Sequence, residues 1–187
     1  MNIIGLCGYK RSGKDTAGSL LLENGYTKYS FAGPLKKACQ EIFMFDDEQT
    51  EGNKKEDYDD RWNINPRKVF QRFGTEIFRD NLDMFFPEMK NIKNTFWIYR
   101  FKLWYKKEKE KNPNIKIVVT DVRFENEANI IKELGGLIIK VNRNNNNNND
   151  NHISELSINK IKHDILIDND STIEDFHLKL KKILKFK

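Results

Sequence analysis

The stretch Gly8-Tyr9-Lys10-Arg11-Ser12-Gly13-Lys14-Asp15-Thr16 decides the fold of this chain. It follows a short apolar run at residues 3–7 and precedes a segment with helical periodicity around residues 20–22. A strand, a glycine loop and a helix in this order are typical of a phosphate-binding loop, in which loop amides and the helix N-terminus face an anion. We therefore predict that this stretch holds a phosphate-bearing ligand.

The residues inside the stretch agree with this interpretation at every position but one. Gly8 and Gly13 let the backbone curl around an anion, and Lys14 is placed to reach the β- and γ-phosphates of a nucleotide. Asp15 stands where the usual pattern has Ser or Thr, and Thr16 follows it. The alternative is a glycine turn without a ligand, but the spacing, the Lys and the preceding strand all favour the phosphate loop.

Composition limits the classes of protein to which the chain can belong. With 187 residues, 38% of them hydrophobic and 33% charged, we expect one globular domain that spans residues 1–187. The net charge of +5 is spread along the chain, which favours a small polyanionic ligand and no nucleic acid. Two cysteines, no membrane-spanning apolar run and no signal peptide predict a reduced, cytoplasmic protein without a membrane partner.

Strand and helix patterns alternate along the chain, with apolar strand patterns at 3–7, 26–31, 115–121, 137–141 and 164–168. This alternation predicts a parallel sheet with helices on both faces, that is, a three-layer α/β/α fold.

Two stretches fall outside this alternation of strands and helices. The acidic stretch 46–62 is predicted to be a mobile insertion, and the Asn-rich stretch 144–151 a flexible loop without a chemical role.

Three helices have identifiable starts. Gly33-Pro34 opens one, with Leu35, Ala38 and Ile42 predicted on its buried face. Asn65-Pro66 opens a second, in which Gly74 costs about 1 kcal/mol relative to Ala and therefore indicates close approach by another backbone or a ligand. Ser171 and Glu174 form a predicted capping box for the last helix, whose inward residues are predicted to be Ile173, Phe176, Leu180 and Ile183.

Basic residues are the main candidates for chemistry beyond the loop. Parallel strands deliver ligand contacts at their carboxyl ends, where Asp121 and Arg123 follow a buried strand pattern. Fixed cations stabilise a phosphoryl group in transfer. The available cations are Lys10, Arg11, Lys14, Lys36, Arg67, Arg72, Arg79, Arg123 and Arg143. From these we select Lys14, Arg11, Arg79 and Arg123 as catalytic.

Several other chemistries lack their residues. The sequence has no Asn-Lys-x-Asp segment for guanine selection, no Ser-His-Asp set and no metal-ligand cluster. An acceptor that is itself a phosphate is ionised near pH 7 and needs no general base.

Magnesium is expected to accompany ATP, held either by Asp15 or by ATP oxygens and water. For Asp121, metal binding, substrate binding and pairing with Arg123 stay open, and we favour the substrate role.

Five ordered segments together resemble the bacteriophage-type deoxynucleoside monophosphate (dNMP) kinases. They are the loop at 8–16, Phe31-Ala32-Gly33-Pro34-Leu35-Lys36, Gln71-Arg72-Phe73-Gly74-Thr75-Glu76 with Arg79, Thr120-Asp121-Val122-Arg123-Phe124-Glu125-Asn126-Glu127, and His152-Ile153-Ser154-Glu155. The resemblance implies the fold of P-loop nucleoside monophosphate kinases, with a five-stranded parallel sheet. It implies transfer of the ATP γ-phosphoryl group to a dNMP, and a virus or phage as the source.

The resemblance also assigns residues to the two ligands. The implied ATP set, to which we add Arg143 among the available cations, is Arg11, Gly13, Lys14, Asp15, Thr16 and Arg143. The implied dNMP set is Lys10, Leu35, Lys36, Gly74, Thr75, Arg79, Trp97, Asp121, Arg123 and Glu127. The insertion at 46–62 is shorter than in longer family members, which leaves the accepted bases open.

Two other functions remain as alternatives. A P-loop kinase for another small acceptor, such as a dephospho-coenzyme A kinase, shares the loop and the sheet. A module that binds nucleotide or nucleic acid without turnover would use the basic charge for DNA, and its binding would weaken steeply with salt. A homodimer is kept as an alternative to a monomer.

Overall fold

The computed structural model describes residues 2–143 and 152–186. In chain order the elements are β1 (Ile3–Cys7), α1 (Lys14–Glu23), β2 (Tyr26–Tyr29), α2 (Gly33–Phe43), α3 (Asp47–Thr50), a 3₁₀ turn (Lys54–Glu56), α4 (Pro66–Gln71), a π-helix (Arg72–Asp80), α5 (Leu82–Phe85), a second 3₁₀ turn (Pro87–Ile92), α6 (Phe96–Lys111), β3 (Lys116–Val122), α7 (Glu125–Glu133), β4 (Leu137–Asn142), α8 (Ile153–Leu156), a third 3₁₀ turn (Ser157–Lys160), β5 (Ile165–Asp168) and α9 (Ile173–Leu184).

These elements fall into two compact units. Met1–Ser30 with Leu103–Lys187 form one, which we call the sheet unit, and Phe31–Lys102 form the other, the helical unit. Within the described residues, none of the helices is both long and apolar enough to cross a bilayer. The predicted flexible loop at 144–151 lies outside the described residues.

The sheet unit is built on five strands of the described chain in the order β2-β3-β1-β4-β5. Every neighbouring pair is parallel. The predicted α/β fold with a five-stranded parallel sheet is therefore confirmed. Because β1 is central, the loop that follows it leaves from the middle of the edge where all carboxyl ends lie.

Alternating residues of β1 face two different helix layers. Ile4 and Leu6 share one apolar core with residues of α1 and α9, including Leu20 and Phe176. Gly5 points to the other face, where an added Cβ would lie 2.8 Å from the Cδ1 of Ile131 in α7. Strand side chains alternate between faces, so helices cover both sides of the sheet. This confirms the predicted three-layer arrangement.

The last helix starts one residue later than its predicted cap. The hydroxyl of Thr172 accepts a hydrogen bond from the backbone N–H of Asp175 (3.2 Å), so Thr172 rather than Ser171 is the N-cap. Phe176 and Leu180 are buried as predicted, whereas Ile173 is 60% exposed and Ile183 39% exposed. The buried face runs through Phe176, Leu180 and the partly buried Leu184, so Ile183 was wrongly placed on it, and Ile173 in the first turn lies outside the core.

The helical unit begins with α2, whose start was predicted correctly and whose buried face was predicted correctly only for Leu35. Pro34 stands in the first turn, and the buried residues are Leu35 and Cys39. Ala38 and Ile42 are exposed, Ile42 by 58%. Leu35 and Cys39 are one helical turn apart, and a reduced Cys behaves as a small apolar side chain. The apolar stripe therefore passes through Cys39 instead of Ala38.

The helix opened by Asn65-Pro66 is confirmed, and it changes geometry in its middle. The Asn65 side chain accepts from the backbone N–H of Lys68 (2.8 Å). From Arg72 the chain continues as a π-helix to Asp80. At Gly74 an added Cβ would lie 2.9 Å from Leu35 Cδ2, so the close neighbour found here is a side chain of α2 and not the predicted backbone, while the predicted approach of a ligand stays a prediction. The Gly74 carbonyl accepts from the Trp97 indole N–H (2.9 Å).

The acidic stretch 46–62 contains hydrogen-bonded structure. The Asp46 side chain caps α3 by accepting from the backbone N–H of Gln49 (2.7 Å). The Gln49 side-chain oxygen in turn accepts from the backbone N–H of Asp46. The Asp59 carboxylate accepts from Arg61 Nη2 (2.6 Å) and Gln49 Nε2 (2.8 Å). The mobility of this stretch stays a prediction.

We predict that Gly5→Ala destabilises the sheet unit by about 1–3 kcal/mol, because the new methyl group overpacks the core. Its Cβ would lie 2.6 Å from Ile138 Cδ1 and 2.8 Å from Ile131 Cδ1. Urea unfolding measures the free-energy change. Ser19→Ala, at an exposed position of α1, is the control and should stay within about 0.5 kcal/mol of the native chain. Equal stability of Gly5→Ala and the native chain would contradict the packing argument.

Candidate active site

The loop between β1 and α1 has the backbone geometry of an anion site. Gly8, Arg11 and Gly13 have φ angles of 143°, 62° and 106°, all in the left-handed region. Such alternation turns successive N–H groups toward one side and forms a concave nest for an anion. Lys14 is the first residue of α1, so the helix N-terminus follows directly.

Residues at the ends of β4 and β5 pack against the loop glycines Gly8 and Gly13 and leave no room for a side chain there. An added Cβ at Gly8 would lie 2.3 Å from the backbone oxygen of Val141 at the end of β4. At Gly13 it would lie 2.2 Å from Nδ2 of Asn169, the residue after β5. The same Nδ2 donates to the backbone oxygen of Ser12 (2.9 Å). The ends of β4 and β5 therefore hold the loop in its shape.

Lys14 and Ser12 carry the polar atoms inside the loop. The Lys14 ammonium donates to the backbone oxygen of Tyr9 (2.6 Å), which keeps it over the loop. The Ser12 hydroxyl oxygen is buried, and no hydrogen-bond partner for it exists among the described residues. A buried hydroxyl of this kind is usually bonded to protein, water or ligand. These atoms fit a polyphosphate in the loop.

Burial lowers the pKa of Lys14 from 10.5 to about 8, and the nearby Arg123 guanidinium acts in the same direction. Glu155, Asp15 and Cys7 act in the opposite direction. A buried ammonium is destabilised by lost hydration, and an anion beside it restores the charged form. The loop is therefore poised to take up an anion together with a proton above pH 8.

Arg123 follows β3 and is held at two points. The Glu127 carboxylate accepts from the backbone N–H of Arg123 (2.9 Å) and of Phe124 (3.2 Å). The Arg123 guanidinium forms a short ion pair with Glu155, a residue of α8. Glu127 is only 2% exposed. The predicted substrate contact of Glu127 stays a prediction, and its observed contacts fix the loop that carries Arg123.

Asp121 and Ser30 meet at the ends of β3 and β2. The Ser30 hydroxyl donates to Asp121 Oδ2 (2.7 Å). Of the three roles left open for Asp121, none is decided by this bond, because a carboxylate bound to one hydroxyl can still accept from a ligand. The structure adds Ser30 as its partner.

The remaining loop residues stand at the surface of the sheet unit. Arg11 and Asp15 are exposed, whereas Lys10 and Thr16 are half-buried. Arg143 follows β4 and is exposed. Their predicted contacts with ATP or dNMP stay predictions.

The helical unit contains the other predicted dNMP residues. Thr75 and Arg79 are one helical turn apart and buried, and they share the π-helix with Gly74. Trp97 is buried beside them through its bond to the Gly74 carbonyl, and Leu35 packs against Gly74. The structure therefore brings these residues together within one unit.

Lys36, the last predicted residue of that set, forms an ion pair with Glu51 (2.9 Å), with side chains 20% and 63% exposed. A pair this exposed contributes at most about 1 kcal/mol. The ammonium can therefore exchange Glu51 for a phosphate at little cost.

Sequence reasoning missed three residues of this region: Glu155, Asn169 and Ser30. Asn169 and Ser30 directly follow β5 and β2, so the rule that ligand contacts lie at carboxyl ends of strands could have selected them. Glu155 was noted only as part of a motif with His152. The ring Nδ1 of His152 accepts from the backbone N–H of Ser154 (3.2 Å) and caps α8, which places Glu155.

Comparison with known proteins decides the family. A family model described as deoxynucleotide monophosphate kinase matches residues 2–60 and 40–180. The chain belongs to this family. A protein of Acanthamoeba polyphaga mimivirus assigned as a deoxynucleotide monophosphate kinase is 47% identical over 182 residues, which cover 95% of this chain and 93% of that protein. The resemblance stated from the five sequence segments is thereby confirmed.

A more distant relative and a solved structure extend the comparison. The deoxynucleotide monophosphate kinase of Enterobacteria phage T4 is 25% identical over 252 aligned positions that cover 99% of each chain. Dephospho-CoA kinase from Campylobacter jejuni superposes with a TM-score of 0.51 at 16% identity, over 98% of this chain and 96% of that chain. At this identity the likeness concerns the fold alone, which is that of a P-loop kinase.

We predict that ATP binding takes up about half a proton at pH 8, because Lys14 is half-charged in the unliganded protein and fully charged beside phosphate. Below that pH the uptake falls toward zero, and above it the affinity for ATP declines. Calorimetry without magnesium, in buffers of different ionisation enthalpy, measures the uptake. Lys14→Arg, whose guanidinium stays charged, is the control; equal uptake by both proteins would refute the assignment to Lys14.

We predict that Glu51→Gln lowers KM for the dNMP about two- to fivefold and leaves KM for ATP unchanged, because Lys36 no longer has to leave an ion pair. Steady-state kinetics provide the measurement. Glu48→Gln, which makes the same charge change on α3, is the control. A similar effect of both substitutions would mean that net charge, and not Lys36, is responsible.

Proposed function

We propose that this protein transfers the γ-phosphoryl group of ATP to a deoxynucleoside monophosphate, with ADP and a deoxynucleoside diphosphate as products. The observation that carries the proposal is the phosphate loop with Lys14 and Arg123 beside it, in a chain of the deoxynucleotide monophosphate kinase family. Both hydrolases and kinases stabilise the transferred group with cations, but a kinase that also binds a phosphate-bearing acceptor needs further cations for that second phosphate.

The donor side is assigned to the sheet unit. The loop amides around Gly13 and the Lys14 ammonium would bind the β- and γ-phosphates, and Asn169 keeps the loop in shape. Arg11 and Arg123 would stabilise the charge that spreads over the phosphoryl oxygens. Thr16 and Arg143 are the further proposed ATP contacts.

The acceptor side rests on the resemblance. Lys36 and Arg79 would bind the dNMP phosphate, and Leu35, Gly74, Thr75 and Trp97 would contact the nucleoside. Lys10, Asp121, Arg123 and Glu127 complete the proposed set. The attacking atom is a phosphate oxygen that is already ionised at neutral pH, so the chemistry calls for orientation and charge rather than a base.

Magnesium fits the residues at the start of α1. The described residues contain no group of three or more His, Cys, Asp or Glu that could enclose a metal. Magnesium usually takes one or two protein oxygens and completes its shell with phosphate oxygens and water. Asp15 supplies a carboxylate and Thr16 a hydroxyl for such a site. When bound, the ion would neutralise charge on the ATP phosphates.

The test is a panel assay of ADP release with each dNMP, each ribonucleoside monophosphate, dephospho-coenzyme A and no acceptor. We expect ADP release with at least one dNMP, and Lys14→Ala should lower kcat by about two orders of magnitude or more while the protein stays folded. Circular dichroism and thermal melting establish that the variant is folded. ADP release with dephospho-coenzyme A alone, or equally without acceptor, would overturn the proposal.

A further inference from the structure

The ion pair between Arg123 and Glu155 joins two elements that lie 32 residues apart in sequence. Glu155 is fully buried, whereas the Arg123 side chain is 32% exposed. The pair is therefore anchored at its carboxylate and open at its guanidinium. We propose that Glu155 is a positioning residue, which fixes the Arg123 guanidinium in the orientation that meets the transferred phosphoryl group; this rests on the proposed function.

The burial of Glu155 is the first reason. A carboxylate is placed out of contact with water at a large desolvation cost, which only a close, well-oriented partner offsets. Arg123 supplies that partner, and a guanidinium with five N–H donors can bind a carboxylate on one edge and phosphate oxygens on another. The Glu155 side chain has no exposed surface with which to reach a substrate itself.

The main chain of Arg123 is the second reason. Glu127 holds its backbone N–H at 2.9 Å while Glu155 holds its guanidinium, so both ends of the side chain are restrained. A long side chain restrained in advance loses less freedom when the substrate binds. This arrangement is expected around a group that acts on a transition state.

The third reason is charge balance. Lys14 and Arg123 are two cations that disfavour each other, and Glu155 is the carboxylate that offsets them. The titratable groups that act on Lys14 are Arg123 from the loop after β3, Glu155 from α8, Asp15 from its own helix and the Cys7 thiol of β1, whose own pKa burial raises to about 11. Without Glu155, Arg123 would move away from Lys14 toward solvent.

The main experiment is a double-mutant cycle. We expect Glu155→Gln to lower kcat about 10- to 100-fold with KM for ATP changed less than about threefold, because a displaced group loses transition-state contacts. Arg123→Lys removes the planar set of guanidinium donors. In that background, adding Glu155→Gln should lower kcat by less than about threefold further. An equal cost in both backgrounds would overturn the proposal, since a structural role does not depend on the guanidinium.

A second readout does not need activity. The ¹⁵N-labelled guanidinium of Arg123 should show separate, slowly exchanging Nη–H signals in the native protein, assigned by their loss in Arg123→Lys. Glu155→Gln should merge or broaden these signals, and unchanged signals would overturn the proposal. Native protein without dNMP kinase activity would instead contradict the proposed function, and the spectra would still test the positioning.

Two further variants separate an effect on the fold from an effect on positioning. Asp164→Asn is the control for loss of a carboxylate–cation pair, because Asp164, although 40% exposed, also joins a cation, Lys132 (2.9 Å), and a backbone N–H, that of Ile138 (2.7 Å), away from the loop. It should lower the melting temperature without a selective loss of kcat. If Glu155→Gln is unfolded at the assay temperature, Glu155→Asp replaces it. The shorter Asp side chain keeps the negative charge but withdraws the carboxylate from Arg123. We expect its effect on kcat to depend on Arg123 in the same way.

Discussion

The left-handed turn at Gly13, packed against the Asn169 side chain, is the constraint on which the site depends. β1 must turn into α1 within a few residues, and the turn leaves its N–H groups pointing to one side. Asn169 binds the Ser12 oxygen and fills the space where a Cβ would stand. β4 and β5 follow β1 in the strand order, which places Asn169, the residue after β5, beside the loop. The conformation of the loop therefore depends on the sheet topology.

Around the turn, the charges are balanced rather than simply positive. Lys14 and Arg123 bring two cations to one region, and the buried Glu155 carboxylate limits their repulsion. Because Glu155 already pairs with Arg123, its carboxylate would not compete with a bound polyanion for Lys14. Burial, with Arg123 as a smaller cause, lowers the pKa of Lys14 to about 8, so the binding of an anion and the uptake of a proton are linked there.

The sequence predicted what depends on local pattern. The loop at 8–16, the five strands and the cap at Asn65 follow from spacing and residue type, and all are present. It did not predict pairings that depend on strand order, such as Ser30 with Asp121 and Arg123 with Glu155. The stripe of α2 was misplaced because Cys39 was not counted as apolar, and the cap of α9 because Ser171 and Thr172 are equally good candidates.

The π-helix from Arg72 to Asp80 has a consequence for how this family can diverge. A π turn holds one residue more than an α turn, and such segments persist mostly where function retains them. Each residue advances an α-helix by about 100°, so a change in residue number that the π geometry did not absorb would rotate every following side chain by that amount. The number of residues between Gly74 and Arg79 therefore matters to the helical unit as much as their identities do, because insertions or deletions there would alter which side chain occupies the buried position of Arg79.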